Sequence, residues 1–318
     1  MNYFLIICGL FLLILGGEFL VRGAVSLALK LKVSTLLIAL TVIAFGTSTP
    51  ELLVSLDAAI SGSPELTIGN IVGSNIANIL LILGLPALIT PIVLSNKNTK
   101  NYLILIISYS LFLFFGLNFK IQSYEGIILF IFLIFFLFNS YLQGKKDREQ
   151  SEAINSEVSS LEASKNIVWI VGLIILGLIG LFFGSELLIK GAVGIATELN
   201  ISKEIIGLSV LAIGTSLPEL TTSLIAAIKK QSDFIIGNVI GSNLFNTLGV
   251  AGITSFIVDI PVKENILKLD FTVMFLSLLF LMPLILFKLK IGRYLGILLF
   301  ASYITYIFAI FAYDKNFL

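Results

Sequence analysis

Long runs of apolar residues constrain this chain more than any other feature. Ten such runs occur, and most are at least as long as the roughly 20 residues that a helix needs to cross a bilayer. They span residues 3–29, 33–60, 65–90, 100–118, 123–142, 167–197, 203–228, 233–258, 269–287 and 291–313. With 12% charged residues and a mean hydropathy of +1.07, the chain is far less polar than a soluble domain. The sequence therefore predicts an all-α integral membrane protein with ten transmembrane helices.

Residue types that are missing or rare exclude several kinds of protein. The chain has no histidine, which rules out histidine metal ligands, Ser-His-Asp triads and histidine proton relays. Its single cysteine, Cys8, rules out disulfides within the chain and cysteine-rich metal sites. The net charge of +1 gives no electrostatic basis for binding nucleic acid. We expect a protein that is surrounded by lipid, needs no cofactor and has no obligatory protein partner.

One polar stretch, residues 143–165, divides the apolar runs into five and five. It is rich in Ser, Glu and Lys, which predicts a solvated linker. Most Lys and Arg residues outside the apolar runs fall on the same side of the membrane as this linker, and such an excess marks the cytoplasmic side. We therefore expect a multi-pass protein of the cell (inner) membrane, with the linker in the cytoplasm and both termini outside.

The two halves of the chain resemble each other in sequence. Residues 16–84 align without a gap to residues 184–252, and nearly half of the aligned positions are identical. Because each half has five spans, an odd number, the second half enters the membrane from the opposite side. The halves are therefore predicted to be inverted repeats, as in many secondary transporters. The predicted domains are a first five-helix repeat at 1–142, the linker at 143–165 and a second five-helix repeat at 166–318.

Each repeat carries a carboxylate inside an apolar run, Glu51 in "GTSTPEL" and Glu219 in "GTSLPEL". A carboxylate at bilayer depth costs at least about 2.5 kcal/mol, so it is kept mainly where it is paired or functional. The pseudo-two-fold symmetry of inverted repeats should bring the two carboxylates together near the middle of the membrane. They repel each other there, so one stays protonated unless a cation neutralises both. One divalent hard cation or two sodium ions would do so.

Further oxygen ligands accompany each glutamate. Pro50 and Pro218, directly before the glutamates, interrupt the helix and can expose nearby carbonyls. The blocks "GNIVGSNIAN" (69–78) and "GNVIGSNLFN" (237–246) supply hydroxyl and amide groups together with small residues that allow close packing. Oxygen ligands of these kinds select hard cations such as Ca²⁺, Mg²⁺ or Na⁺. The hydroxyl and amide candidates are Thr47, Ser48, Ser74, Asn78, Thr215, Ser216, Ser242 and Asn246.

Each of these features alone also fits a purely structural role. A buried glutamate can bond a neighbouring helix, and prolines and small residues shape helix packing. Two copies of "TSxPE" with two copies of "GSNxxN", at equivalent positions, favour an ion site instead. The i, i+4 pairs Glu18–Arg22 and Glu186–Lys190 are different, because their spacing predicts ion pairs that stabilise a helix.

The paired "GTSxPEL" and "GNxxGSNxxN" blocks, within 44–78 and 212–246, resemble the alpha repeats of the sodium/calcium exchanger family, in the cation/Ca²⁺ antiporter superfamily. The resemblance extends over the ten-span layout and is to prokaryotic members. It implies an antiporter that exchanges Na⁺ for Ca²⁺ by alternating access. It also implies that Glu51 and Glu219 bridge a central Ca²⁺ site and serve the sodium sites, and that the carbonyls of Ala44 and Ala212 line these sites.

One position, Asn246, departs from the family pattern. Many prokaryotic and potassium-dependent members that resemble this chain carry Asp there. An amide coordinates a cation but holds no charge and cannot titrate. The departure argues against a potassium requirement and alters the charge balance of the fully loaded site.

The residues leave other functions open. The same two glutamates could carry protons, which would make the chain a proton/Ca²⁺ exchanger, and Mg²⁺ or Mn²⁺ could replace Ca²⁺ as cargo. An ion channel is disfavoured, because a closed pair of carboxylates binds cations too tightly for rapid conduction. An intramembrane enzyme is disfavoured because it needs an Asp dyad or a serine with a base, and Asp57 and Asp259 do not stand at equivalent repeat positions.

Overall fold

A computed structural model of the chain describes residues 1–94, 96–154, 166–199 and 212–315. These residues are almost entirely helical, and nine of their helices are long and apolar enough to cross a membrane. The nine begin and end within a few residues of nine predicted runs, except that the helix beginning at Ser123 continues to Ile154. The remaining predicted run, 203–228, lies partly outside the described residues, and its described part contains the shorter apolar helix Leu217–Ile228. The prediction of an all-α membrane protein is confirmed.

The first half contains α1 (Asn2–Leu31), α2 (Thr35–Ile38), α3 (Ala44–Thr47), α4 (Thr49–Ile60), α5 (Glu65–Leu80), α6 (Gly84–Ile89), α7 (Asn96–Gly116), β1 (Lys120–Ile121) and α8 (Ser123–Ile154). The second half contains α9 (Ile167–Glu198), α10 (Ala212–Thr215), α11 (Leu217–Ile228), α12 (Ser232–Leu244), α13 (Ala251–Ile257), β2 (Ile260–Pro261), α14 (Phe271–Leu286) and α15 (Arg293–Lys315). Between these helices, the described residues also contain three π-helical segments, at Ala39–Ile43, Phe245–Val250 and Ile266–Asp270.

Helix α8 is longer than the sequence predicts. It continues to Ile154, beyond the predicted end at residue 142, so the first part of the predicted linker is helical. The residues that extend it, "QGKKDREQSEAI", are mostly Gln, Lys, Arg, Glu and Ala, which favour a helix even in water. The rest of the predicted linker, 155–165, lies outside the described residues.

Glycines let α1 and α9 touch along their backbones. A methyl group added to Gly16 would lie 2.7 Å from the backbone nitrogen of Leu181 and 2.8 Å from the carbonyl oxygen of Gly177. Gly9 is as close to Leu188, with 2.7 Å to its backbone nitrogen. Small residues at such positions allow close contact between helices in membranes, where apolar burial alone gives little attraction between them. The first long helices of the two halves therefore form one tightly packed pair.

The two predicted i, i+4 ion pairs are present. Arg22 Nε lies 2.5 Å from Glu18 Oε1, and Lys190 Nζ lies 2.6 Å from Glu186 Oε1. Glu18 also accepts a bond from Lys229 Nζ at 2.8 Å, which joins α1 to the residue after α11. The repeat alignment places Ser61 opposite Lys229. In the second repeat, the charged residue Lys229 therefore bonds the first long helix. Its counterpart in the first repeat, Ser61, is uncharged.

Short extended segments join the two halves outside the helices. Strands β1 and β2 pair antiparallel, with Ile121 opposite Ile260. A second antiparallel bridge joins Ile92 to Ile291. Extending the repeat alignment places Ile260 opposite Ile92. The equivalent segments of the two halves therefore each pair with a segment of the other half. The sequence did not predict these contacts, because each strand is too short to show a periodic pattern.

Helix α12 packs closely on the chain segment that leads to Glu51. A methyl group on Gly237 would lie 2.6 Å from the carbonyl oxygen of Leu36 and 2.8 Å from Ala39 Cβ. One on Gly241 would lie 2.6 Å from Ala44 Cβ. Glycine is required at both positions because the neighbouring backbone occupies the space of a side chain. The predicted role in close helix packing is confirmed for Gly237 and Gly241, whereas no described atom lies within 4 Å of a methyl group added to Gly69 or Gly73.

We predict that Gly237→Ala destabilises the protein by about 1–3 kcal/mol, the usual cost of overpacking a filled interior. Gly172→Ala is the matched control, since no described atom lies within 4 Å of the added methyl group. It should be neutral or stabilising, because alanine is the better helix former. Thermal unfolding of the purified proteins in detergent measures both. Equal unfolding temperatures for the two variants would contradict the packing described here.

Candidate ion-binding site

Both glutamate-bearing helices are interrupted just before the glutamate. Ser48 separates α3 from α4 and has φ −87° and ψ 8°, while Ser216 separates α10 from α11 with φ −88° and ψ 7°. Pro50 and Pro218 lie in the first turn after each break. The interruption predicted from the two prolines is therefore confirmed, and it has the same geometry in both repeats.

The neighbouring helices are also irregular near the site. Asn246 lies in the π-helical segment Phe245–Val250. In the other repeat, the nitrogen of Ile82 donates to the carbonyl of Ala77 at 2.9 Å, a π-type bond that spans Asn78. Such turns occur often at functional sites, and broken backbone at membrane depth is tolerated where protein surrounds it.

Two crossed hydrogen bonds bring the glutamates together. Ser48, three residues before Glu51, donates to Oε1 of Glu219 at 2.9 Å. Ser216, three residues before Glu219, lies 3.4 Å from Oε1 of Glu51. Both carboxylates are 0% exposed. Each repeat thus supplies a hydroxyl to the carboxylate of the other, which is the juxtaposition that the inverted repeat predicts.

The remaining candidates lie around this pair. Ser242 Oγ is 3.5 Å from Oε1 of Glu219, and Ser74 is a neighbour of the Glu51 carboxylate. Asn78 donates to Asn243 Oδ1 at 3.0 Å, which leaves its own Oδ1 for another ligand. Thr47, Thr215 and Asn246 are also buried.

The two alanines that the resemblance adds have equivalent positions. Ala44 begins α3, and its carbonyl accepts from Ser48 N at 3.0 Å. Ala212 begins α10 at the corresponding place in the second repeat.

The site is acidic, and no basic residue among those that the structure describes balances it. In the described part of the chain, the side-chain partners of the two carboxylates are hydroxyl groups, with no Lys or Arg among them. Glu51 Oε2 and Glu219 Oε2 have no hydrogen-bond partner there, and neither amide atom of Asn246 has one. Buried polar groups are normally satisfied, and buried charges are normally paired. The arrangement fits one or more cations held by carboxylate, hydroxyl and amide oxygens.

Two residues at the site were missed in the sequence. Asn70 and Asn238 bond the glutamate helix of their own repeat and a threonine of the other. Both belong to the "GN" that opens the second repeated block. Each stands four residues before a predicted serine ligand, so it lies on the same helix face. That i, i+4 spacing could have identified them.

Known proteins resemble this chain over nearly its whole length. The family described as sodium/calcium exchanger protein matches residues 1–142 and 169–312. The chain is 36% identical over 316 residues to the putative antiporter CaxA of Alkalimonas amylolytica, with 96% of this chain and 98% of that protein covered. It is 30% identical over 348 residues to the sodium/calcium exchanger MaX1 of Methanosarcina acetivorans, with 98% of each covered.

The fold also resembles solved structures. The sodium-calcium exchanger NCX_Mj, soaked with zero Na⁺ and Ca²⁺, matches with a TM-score of 0.84 and 34% identity, and the match covers 97% of this chain and 98% of that chain. The same exchanger soaked with Na⁺ and Sr²⁺ matches with a TM-score of 0.84 and 35% identity, over 96% of this chain and 97% of that chain. The family match over residues 1–142 and 169–312 includes both glutamate-bearing segments.

We predict that Ser48→Ala weakens Ca²⁺ binding by roughly tenfold, because a hydrogen bond to a charged group contributes about 1.5–3 kcal/mol. Ser216→Ala should have a smaller effect, since its contact with Glu51 is longer, 3.4 Å against 2.9 Å. The rise in unfolding temperature with Ca²⁺ concentration measures both. Ser108→Ala is the control, because among the described residues this buried hydroxyl bonds only the carbonyl of Ile104 in its own helix. Equal affinities in all three variants would show that the crossed bonds do not support the site.

Proposed function

We propose that this chain, which belongs to the sodium/calcium exchanger family, exchanges Na⁺ for Ca²⁺ across the cell membrane by alternating access. The observation that carries the proposal is the pair of fully buried carboxylates, Glu51 and Glu219, each bonded to a serine of the opposite repeat. The names of the relatives support the choice of ions, since one is a sodium/calcium exchanger and the solved exchanger was soaked with Na⁺ and Sr²⁺.

The charge of the site explains how the two ion fluxes are coupled. Two ionised carboxylates give a charge near −2, which one Ca²⁺ cancels. Sodium ions compete for the same oxygens, so Ca²⁺ and a full set of sodium ions do not bind together. Moving the empty site across the membrane barrier leaves two charges in a low dielectric, which is costly. The protein therefore changes its open side when loaded, and each change carries one kind of ion.

The ligands of this proposal are the carboxylates of Glu51 and Glu219 with the neutral oxygens of both repeats. Ala44 and Ala212 contribute backbone carbonyls. The side-chain ligands are Thr47, Ser48, Ser74, Asn78, Thr215, Ser216, Ser242 and Asn246. All ten described side chains in this set are buried, which supports their assignment.

The proposed orientation describes how the protein lies in the membrane, and the ion gradients set the direction of net transport. The predicted linker at 143–165 lies in the cytoplasm and both termini lie outside, because Lys and Arg are concentrated on the linker side. In a cell with an inward sodium gradient, sodium enters and Ca²⁺ is exported. The chain is then a calcium extrusion protein of the cell membrane.

The first test is Ca²⁺ uptake into sodium-loaded proteoliposomes diluted into sodium-free buffer. We expect uptake that requires internal sodium and is lost in both Glu51→Gln and Glu219→Gln, since each amide removes one charge from the site. Glu186→Gln is the control, because this exposed carboxylate pairs with Lys190 outside the site. Its uptake should match that of the wild type.

Parallel vesicles that carry only a proton gradient separate the two exchange mechanisms. Uptake driven by protons alone would show that protons, and not sodium ions, are the counter-ion at the same glutamates. Normal sodium-driven uptake in both glutamine variants would disprove the site assignment.

Asn246 gives a second prediction. Asn246→Asp adds a third carboxyl group to the site. Among the described residues, the wild-type chain has no group of three acidic side chains. Below the pH at which the new group ionises, the variant should transport as the wild type does. Above that pH the extra negative charge should slow Ca²⁺ uptake, because Ca²⁺ no longer neutralises the loaded site. Uptake at a series of pH values measures this, and identical profiles for the two proteins would contradict it.

A further inference from the structure

Asn70 lies on α5 and contacts three residues on two other helices through one amide. Its Nδ2 is 3.0 Å from the carbonyl oxygen of Glu51 and 2.9 Å from Ser55 Oγ, both on α4. Its Oδ1 is 3.4 Å from the hydroxyl of Thr215 in the other repeat. All the polar atoms of this amide are therefore in use.

These partners fix the orientation of the amide. The carbonyl of Glu51 can only accept a hydrogen bond, so the amide nitrogen of Asn70 must face it. Oδ1 is then left as the acceptor for the hydroxyl of Thr215. A hydroxyl has one hydrogen, and Thr215 gives it to Asn70. The lone pairs of Thr215 Oγ1 are therefore free to face a cation, which binds oxygen through its lone pairs.

Asn238 has the same role in the second repeat. Its Nδ2 is 3.5 Å from the carbonyl oxygen of Glu219 and 3.4 Å from Ser223 Oγ, and its Oδ1 is 3.4 Å from Thr47 Oγ1. The Nδ2 contacts are longer than those of Asn70, while the Oδ1 contact has the same length. The hydroxyl of Thr47 also has the carbonyl of Ala44 at 3.4 Å as a second acceptor. Asn70, whose threonine has a single acceptor among the described residues, therefore gives the cleaner test.

We propose that Asn70 and Asn238 are positioning residues that select for sodium by turning the hydroxyl oxygens of Thr215 and Thr47 toward the bound ion. This inference rests on the proposed exchange function. One Ca²⁺ binds both carboxylates at once, whereas two or more sodium ions must share them. Each sodium ion therefore takes a larger share of its ligands from neutral oxygens than Ca²⁺ does. Loss of the amide should weaken sodium binding more than calcium binding.

The test compares Asn70→Leu with Asn75→Leu. Asn75 is a matched control because it is a fully buried amide on the same helix and donates to Thr247 Oγ1 at 3.0 Å. The rise in unfolding temperature is measured against NaCl and against CaCl₂ separately, with choline chloride keeping the ionic strength constant. Asn70→Ser gives the same comparison if the leucine variant does not fold.

For Asn70→Leu we expect sodium affinity to fall by about tenfold, the usual order for an unpaired buried polar group, and calcium affinity to fall much less. Asn75→Leu should lower the unfolding temperature without changing either affinity. Equal losses for the two ions, or unchanged sodium affinity in Asn70→Leu, would overturn the inference. Either outcome would show that the amide of Asn70 contributes to packing and not to the choice of ion.

A double-mutant cycle then tests whether the amide acts through the threonine. Thr215→Val removes the hydroxyl, so adding Asn70→Leu should cause little further loss of sodium affinity. Independent, additive losses would overturn the proposed route. Sodium-driven Ca²⁺ uptake by the wild type is measured beside the binding. A wild type that binds no sodium overturns both the exchange function and this inference. A wild type that exchanges sodium while Asn70→Leu keeps its sodium affinity overturns the inference alone.

Discussion

Two carboxylates buried at membrane depth, with no basic partner in the described part of the chain, determine much of this structure. Each must be kept close to donors or to a cation, because an unsatisfied charge in the membrane interior is costly. The crossed contacts from Ser48 to Glu219 and from Ser216 to Glu51 meet part of that need and join the two repeats at the same time. These hydroxyls can reach the opposite carboxylate because each helix breaks at the serine. The breaks in turn require surrounding protein, since interrupted backbone cannot face lipid.

The packing around the site follows from this requirement. Glycines on α12 let its backbone lie against the segment before Glu51, where any side chain would collide with a carbonyl or an alanine. The amides of Asn70 and Asn238 then tie each glutamate helix to the opposite repeat. Polar contacts of this kind form only in one geometry. An apolar side chain, in contrast, gains nearly the same free energy from contact with lipid as from contact with another helix. The polar interior therefore specifies how the helices assemble, and the apolar exterior specifies only that they lie in a membrane.

The sequence predicts the spans well because hydropathy is a local property, and nine predicted runs agree with described helices. It also predicts which glutamates meet, because an inverted repeat carries that information in one alignment. It does not predict the extension of α8, since the membrane edge and the helix end need not coincide. It does not predict the bond from Lys229 to Glu18 either, because that contact joins distant parts of the chain. Asn70 and Asn238 could have been found from their spacing, but their partners on the other repeat could not.

The ion pair between Glu18 and Lys229 has a consequence for the balance between the two faces of the protein. A molecule built from two identical inverted halves would have forms open to either side with equal free energy. Here Lys229 stands in one half and the uncharged Ser61 stands at its counterpart, so the halves are not interchangeable. Any stabilising free energy that this pair contributes has no counterpart at the equivalent position of the other half. Any difference in free energy between the two open forms must therefore come from such departures from internal symmetry, and the ion gradients act in addition to it.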